Sequence, residues 1–317
     1  MKSRSRNERG EAVSGPPSRE KGRSGDLPFS VRRARPLLGT IVDLTCAGSP
    51  NDLTAAFATI EKVHRLMSFY DPASDVTRIN REACRRTVIV HPWTWRVLQV
   101  ALDFSRASDG LFDITAPPSP RLRCAGAQVG NGNWRDILLE EDYAVRFRRR
   151  VIVDLGGIAK GFAVDRAVET LKKNKVATGI VNAGGDIRVF GSIGRIIHLR
   201  NPMSPTRVSG VLRVRDRAIA TSATYFAPGA LIDGQTRRTM TDRVSVTVAA
   251  RDCMTADALT KIVFALREKA ASLLARYRAN ALLLERGSSP AWIYYPPSPR
   301  LRRTSSPCDT RDRNRFN

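Results

Sequence analysis

Residues 153–165 read VDLGGIAKGFAVD and are followed by VNAGGDIRVFG at 181–191, an order of residue types that can hold phosphate. A short β-branched run, Val151 to Val153, leads into Asp154. Gly156 and Gly157 then loosen the chain, and Lys160 opens an amphipathic stretch whose Ala163, Ala167 and Leu171 share one helical face. Glycines let backbone N–H groups approach an oxyanion, a helix N-terminus carries partial positive charge, and the lysine adds a full one. The segment is neither G-x-G-x-x-G nor G-x-x-x-x-G-K-[ST], which removes the Rossmann and P-loop readings. By pattern alone it also fits a helix that merely begins after a glycine turn.

The elements around it can be read from periodicity. Residues 40–45 alternate as a strand, and 51–70 form a helix with Phe57, Ile60, Val63 and Met67 at helical spacing; 92–108 form a second helix. The stretch 116–136, with proline at one end and Gly126, Gly130 and Gly132 at the other, reads as a long loop. After the glycine motif come a helix to about Lys175, strands near 178–183, 187–190, 195–199, 208–214 and 244–250, a helix over 256–278 and a last strand, 281–285. Antiparallel-looking strands mixed with a few helices predict an α+β fold rather than a regular βαβ alternation.

The chain has 317 residues, 42% of them hydrophobic, enough for a sizeable core. No run of eighteen apolar residues exists to cross a membrane. The formal charge is +23, of which residues 1–36 carry +6 and residues 296–317 carry +4, leaving about +13 for the body. Residues 1–35 and 291–317 lack apolar periodicity and read as disordered basic tails around one domain, 36–290. No apolar h-region or lipobox cysteine follows the basic start, so a cytoplasmic location is expected. The excess arginine lacks aromatic interleaving, which argues against specific nucleic-acid binding. Cys46, Cys84, Cys124, Cys253 and Cys308 are widely spaced and make neither a zinc site nor a disulfide framework. With only His64, His91 and His198 present, a metal would be bound by hard oxygens, which favours magnesium.

In order along the chain, PLLGTIVDL (36–44), LMSFYDPASDVTRIN (66–80), DGLFDITAPP (109–118), VDLGGIAKGFAVD, NAGGD, AIATSATY (218–225) and TADALTKIVFAL (255–266) resemble the ApbE family of FAD:protein FMN transferases. The resemblance implies an α+β fold of mixed antiparallel sheets with packed helices, related to the T-fold. It implies transfer of FMN from FAD to a threonine of a target flavoprotein with release of AMP, assisted by Mg2+; a few members split FAD hydrolytically. Asp154 and Lys160 match FAD contacts of the family, as do Leu38 (usually methionine there), Tyr70, the triplet Leu111, Phe112 and Asp113, and Ile232. For Tyr70 and Phe112 the competing reading is an ordinary core aromatic, and for Asp113 a turn cap before Thr115.

The backbone carbonyl of Gly157 and the side chain of Asp257 match metal ligands of the family. The family's D-A-x-x-T places a threonine one helical turn after the aspartate, but here that position is Lys261 and the threonine has slipped to Thr260, which at i+3 can still lie roughly on the aspartate's face and is a candidate metal ligand. A lysine ammonium cannot ligate a metal, so Lys261 is read as replacing or weakening it. The family's H-I-I-D-P-x-T-G is here Ala230 to Arg237, and alanine cannot move a proton, which leaves Asp233 and Asp257 as candidate catalytic carboxylates. Three functions remain on this reading: an FMN transferase with a variant metal site, an FAD pyrophosphatase, or a flavin-binding protein without catalysis.

Overall fold

The computed structural model describes residues 30–116, 132–201, 204–224, 229, 231–285 and 291–293. Cys124, Cys308, Tyr225, Ala230 and most of the 116–136 segment lie outside the described residues.

An eight-stranded antiparallel sheet is the frame. Its strand order is β1 (Val31–Leu37), β2 (Thr40–Cys46), β6 (Gly179–Ala183), β7 (Asp186–Phe190), β10 (Arg217–Ala223), β11 (Ser245–Ala250), β12 (Asn280–Leu284) and β13 (Ala291–Ile293). Three helices cover one face: α1 (Pro50–Met67), α4 (Ala159–Lys173) and α5 (Cys253–Leu266). The hairpin of β8 (Arg195–Asn201) and β9 (Ser204–Val214) supplies Leu199, Leu212 and Val214 to a second apolar cluster with Ile187, Val189, Ile219 and Leu282. Alternation along a strand therefore sorts β7. Ile187 and Val189 enter the hairpin cluster, while Phe190 enters the helix-side core. Asp186, two residues from Arg188 and four from Phe190, is delivered to that helix side.

Local signals start the helices. Ser49 and Asp52 form a reciprocal capping box at the start of α1, with Pro50 in its first turn. Leu53, Phe57, Ile60, Val63 and Met67 then make a buried stripe at three- and four-residue spacing. α4 begins at Ile158 with no side-chain cap of its own. A smaller lobe holds α2 (Asp75–Glu82), α3 (Pro92–Ala107) and the three strands β3 (Val88–Ile89), β5 (Ala144–Phe147) and β4 (Ile137–Leu139).

Three expectations need correction. The supposed tail at 31–35 belongs to β1, an edge strand: Arg32 pairs with Asp43 of β2, while Arg33 and Arg35 reach across to Thr54 and Glu61 of α1. At the other end, Ala291–Ile293 form β13 on β12. The helix expected over 256–278 ends at Leu266, where Arg267 takes a left-handed φ of 53°; a 3-10 turn and the short helix α6 (Ala271–Arg276) follow. The run Val151 to Val153 is not a strand: the Asn80 carboxamide from α2 satisfies both backbone groups of Val153, at 2.7 and 2.8 Å. Asp154 N–H donates to the Ile114 carbonyl at 2.8 Å, so the lobe delivers the glycine turn by side-chain and loop contacts.

Candidate flavin site

Two helices cap each other where the glycine turn meets α5. Asp257, in α5, accepts the Gly161 N–H of α4 at 3.2 Å, doing from outside what a cap residue does at a helix N-terminus. In return Asp165 of α4 accepts the N–H groups of Cys253 and Met254 in the first turn of α5, each at 2.9 Å. The helices come so close at Gly161 that an added Cβ would lie 2.3 Å from the Cys253 carbonyl oxygen. Only glycine fits there.

This contact assembles four charges. Lys160 Nζ lies 3.0 Å from Asp186 Oδ2 and 3.6 Å from Asp257 Oδ2. Lys261, one turn after Asp257 on the same face of α5, pairs with Asp257 Oδ1 and donates to the Asp257 main-chain oxygen at 2.9 Å. The carboxylates are at the bottom, with side chains 4% and 1% exposed, and the lysines above them are 29% and 16% exposed. Burial raises the Asp186 carboxyl above its ordinary range, and the neighbouring Asp257 charge adds to that. Burial acts the same way on Asp257, but Lys160 and Lys261 outweigh it and hold Asp257 below the usual range. For Lys160, burial is likewise outweighed, by Asp186 and Asp257, so its ammonium is held in the charged form.

Asp154 and Gly157 border this cluster, and the other expected residues are held by local contacts of their own. Asp154 Oδ1 accepts the Gly156 N–H at 2.8 Å and so shapes the turn; burial raises its pKa, opposed by that hydrogen bond and by Lys160. Gly157 sits between Phe112 and Lys261: a Cβ there would be 3.5 Å from Phe112 Cε2 and 3.7 Å from Lys261 Cε. Phe112 is a core aromatic edge-on to Phe104, as the competing reading allowed. Tyr70 is the opposite case, 85% exposed just after the end of α1. Leu38 and Gly39 make the two-residue β1–β2 turn with φ of 56° and 71°, the pair of positive values that a type I′ hairpin requires. The Leu38 N–H is held by His64 Nδ1 at 3.3 Å.

Asp113 caps its own turn, accepting from Thr115 N–H at 2.7 Å and Thr115 Oγ1 at 2.8 Å, and it is ion-paired to Arg237 at 3.0 Å. Leu111 accepts the Gly234 N–H at 3.0 Å, so residues 231–240, with Ile232 bridged to Thr239, are fastened onto the Leu111–Asp113 turn. Asp233 Oδ1 accepts from Gln235 and Thr236 N–H, both at 2.9 Å, and shapes that hairpin. Thr260 points away from the open side: its hydroxyl donates to the Asp257 carbonyl at 2.7 Å and meets Ser222 Oγ at 2.7 Å, fully buried.

Asp186 was not singled out from the sequence. Its signal was present: it is the one acid that follows the Gly184–Gly185 turn, whose φ values of 63° and 100° need glycine. Arg237 was also missed; it holds φ 58° at the position where the family motif has glycine.

Comparison with known proteins bears on the whole of this frame. The ApbE family model matches residues 38–283. An FAD:protein FMN transferase of Vibrio cholerae is 28% identical over 234 residues, covering 63% of this chain and 69% of that protein. One of Klebsiella pneumoniae is 25% identical over 235 residues, covering 66% and 74%. Among solved structures, the ApbE protein of Thermotoga maritima has a TM-score of 0.72 at 25% identity, over 83% of this chain and 96% of that one. The flavin transferase ApbE of Vibrio cholerae, at 22% identity and a TM-score of 0.70, shares the fold over the same shares. With the family model spanning the sheet from β2 through most of β12, all three covering helices and the charge cluster, the chain belongs to the ApbE family.

Proposed function

We propose that this chain is an FAD:protein FMN transferase, moving FMN from FAD to a threonine hydroxyl of an acceptor flavoprotein and releasing AMP. The observation that carries the reading is the pair of ammonium groups, Lys160 and Lys261, set above buried carboxylates at a glycine turn in a chain of this family. In the reaction the acceptor oxygen attacks the FMN-side phosphorus, the bond from that phosphorus to the bridging oxygen breaks, and AMP leaves. Negative charge grows on the bridging oxygen as the bond breaks, and fixed positive groups in a partly buried site stabilise it most.

On this reading Lys160 and Lys261 carry that charge, while Leu38, Tyr70, Asp154 and the Leu111–Asp113 turn with Ile232 would bind and orient the dinucleotide. The acceptor proton needs a base. Asp257 is unsuited to that task, because two ammonium groups keep it ionised and its oxygens already accept donors. Asp233 is then the carboxylate of this reading that takes the proton. The alanine at position 230, where the family motif carries histidine, favours a slower second reading, FAD hydrolysis or flavin binding without turnover.

Incubation of the pure protein with FAD and a candidate acceptor, followed by chromatography, separates these readings. AMP with acceptor-bound FMN supports transfer, AMP with free FMN means hydrolysis, and bound FAD without AMP means binding alone. Calorimetry in which ATP or NAD binds as tightly as FAD would overturn the flavin reading itself.

A further inference from the structure

We propose that Lys261 is the resident cation of the Asp257 site, standing where the family resemblance would put a divalent metal, so that this chain meets a pyrophosphate with two ammonium groups and no metal ion. The pyrophosphate part of this statement rests on the flavin reading above; the cation part does not.

Donor chemistry comes first. Magnesium takes a near-octahedral set of oxygens, usually one or two carboxylates with waters and phosphate. Here every oxygen that Asp257 offers already accepts a donor: Oδ1 from Lys261, Oδ2 from Gly161 N–H at 3.2 Å with Lys160 at 3.6 Å, and the main-chain oxygen from Lys261 at 2.9 Å and Thr260 at 2.7 Å. Thr260 cannot substitute as a ligand, because its hydroxyl is spent on that carbonyl and on Ser222, with no exposed surface. Among the described residues no group of three or more His, Cys, Asp or Glu is arranged to hold a metal ion.

Charge gives the same answer independently. Asp186 and Asp257 are balanced by Lys160 and Lys261, a neutral set under 1–4% exposed carboxylate side chains. A divalent ion added to it would leave two uncompensated positive charges in a desolvated place, which the fold could accept only by expelling Lys261. With threonine at 261 the same three remaining charges sum to minus one and invite a cation. The Lys261 stem also runs across the glycine turn, 3.7 Å from where a Gly157 Cβ would sit, so it covers the loop whose carbonyl would face the metal.

The test uses the full chain, with Mn2+ followed by the loss of its free-ion EPR signal, and FAD binding followed by calorimetry in EDTA and in millimolar Mg2+. The unmodified protein is expected to bind FAD equally in both media and to take up Mn2+ weakly. Lys261→Thr is expected to bind Mn2+ about tenfold or more tightly than the unmodified protein, and to bind FAD better in Mg2+ than in EDTA. Unmodified protein that takes up Mn2+ as tightly as Lys261→Thr, or whose FAD affinity collapses in EDTA, overturns the proposal. Because the unmodified chain is decisive by itself, a variant that fails to fold does not rescue the idea; Lys261→Met, which keeps an unbranched stem of similar length without the charge, serves as the second variant. Absence of FAD binding in both media would overturn the flavin reading, and the Mn2+ result would still decide Lys261.

Discussion

Gly161→Ala is a stringent test of the reciprocal capping between α4 and α5. In an exposed helix the change should stabilise by about 1 kcal/mol, because alanine is the better helix former. Here the new Cβ would sit 2.3 Å from the Cys253 carbonyl oxygen, 2.6 Å from its carbon and 2.8 Å from Met254 Cα. These are backbone atoms, so no rotamer change relieves the overlap. Carbon contacts settle near 3.5–4.0 Å, which requires the first turn of α5 to retreat by about 1 Å. Bonds that now measure 2.9 Å from Cys253 and Met254 to Asp165, and 3.2 Å from Gly161 to Asp257, would be stretched past useful length. Overpacking of this kind costs about 1–3 kcal/mol and lost caps about 1 kcal/mol more, against the roughly 1 kcal/mol that alanine returns, so a net destabilisation of about 1–3 kcal/mol is expected. For a domain of this size that lowers Tm by roughly 2–12 °C, measurable by calorimetry or circular dichroism. Gly210→Ala is the control, since no atom lies within 4 Å of its added Cβ. A Gly161→Ala protein as stable as the wild type would refute the close approach and with it the capping arrangement that places Asp257.

Two further outcomes are expected. Arg237→Gly removes a left-handed φ of 58°, worth about 1–2 kcal/mol in strain, but strips Asp113 of its ion pair at 3.0 Å; because that carboxylate is buried, net destabilisation of about 1–3 kcal/mol should appear in urea unfolding, and equal stability would show the pair to be idle. Asp165 is raised to about 6, chiefly by burial, which outweighs its hydrogen bonds from Cys253 and Met254; its folded form therefore holds a proton that the unfolded chain, near 3.9, gives up earlier. This contribution is fully present below about pH 4 and is lost as pH rises to about 6, by up to about 3 kcal/mol, whereas Asp165→Asn has no proton to lose. The difference in unfolding free energy between the two proteins should change across that window, and a difference constant with pH would contradict the assignment.

Much of the frame was legible because it is written in local periodicity. The apolar stripe of α1, the bounds of α3, the strands that flank the glycine turn and the turn itself all follow from spacings of two, three and four residues. The failures are equally physical. β1 reads as a basic tail because its three arginines break the apolar alternation, and it becomes a strand only by pairing with β2. The long helix after residue 253 reads as continuous, yet a left-handed Arg267 ends it. The residue types of the site, Lys160, Asp257 and Lys261, were visible in the chain. Their combination was not, since Lys160 and Gly161 meet Asp257 across nearly a hundred residues, and Asp186 joins them only because strand alternation turns it toward the helices. Sequence determines which charges are available; burial of two carboxylates between two packed helices and a sheet decides that they must be paired, and with which lysines.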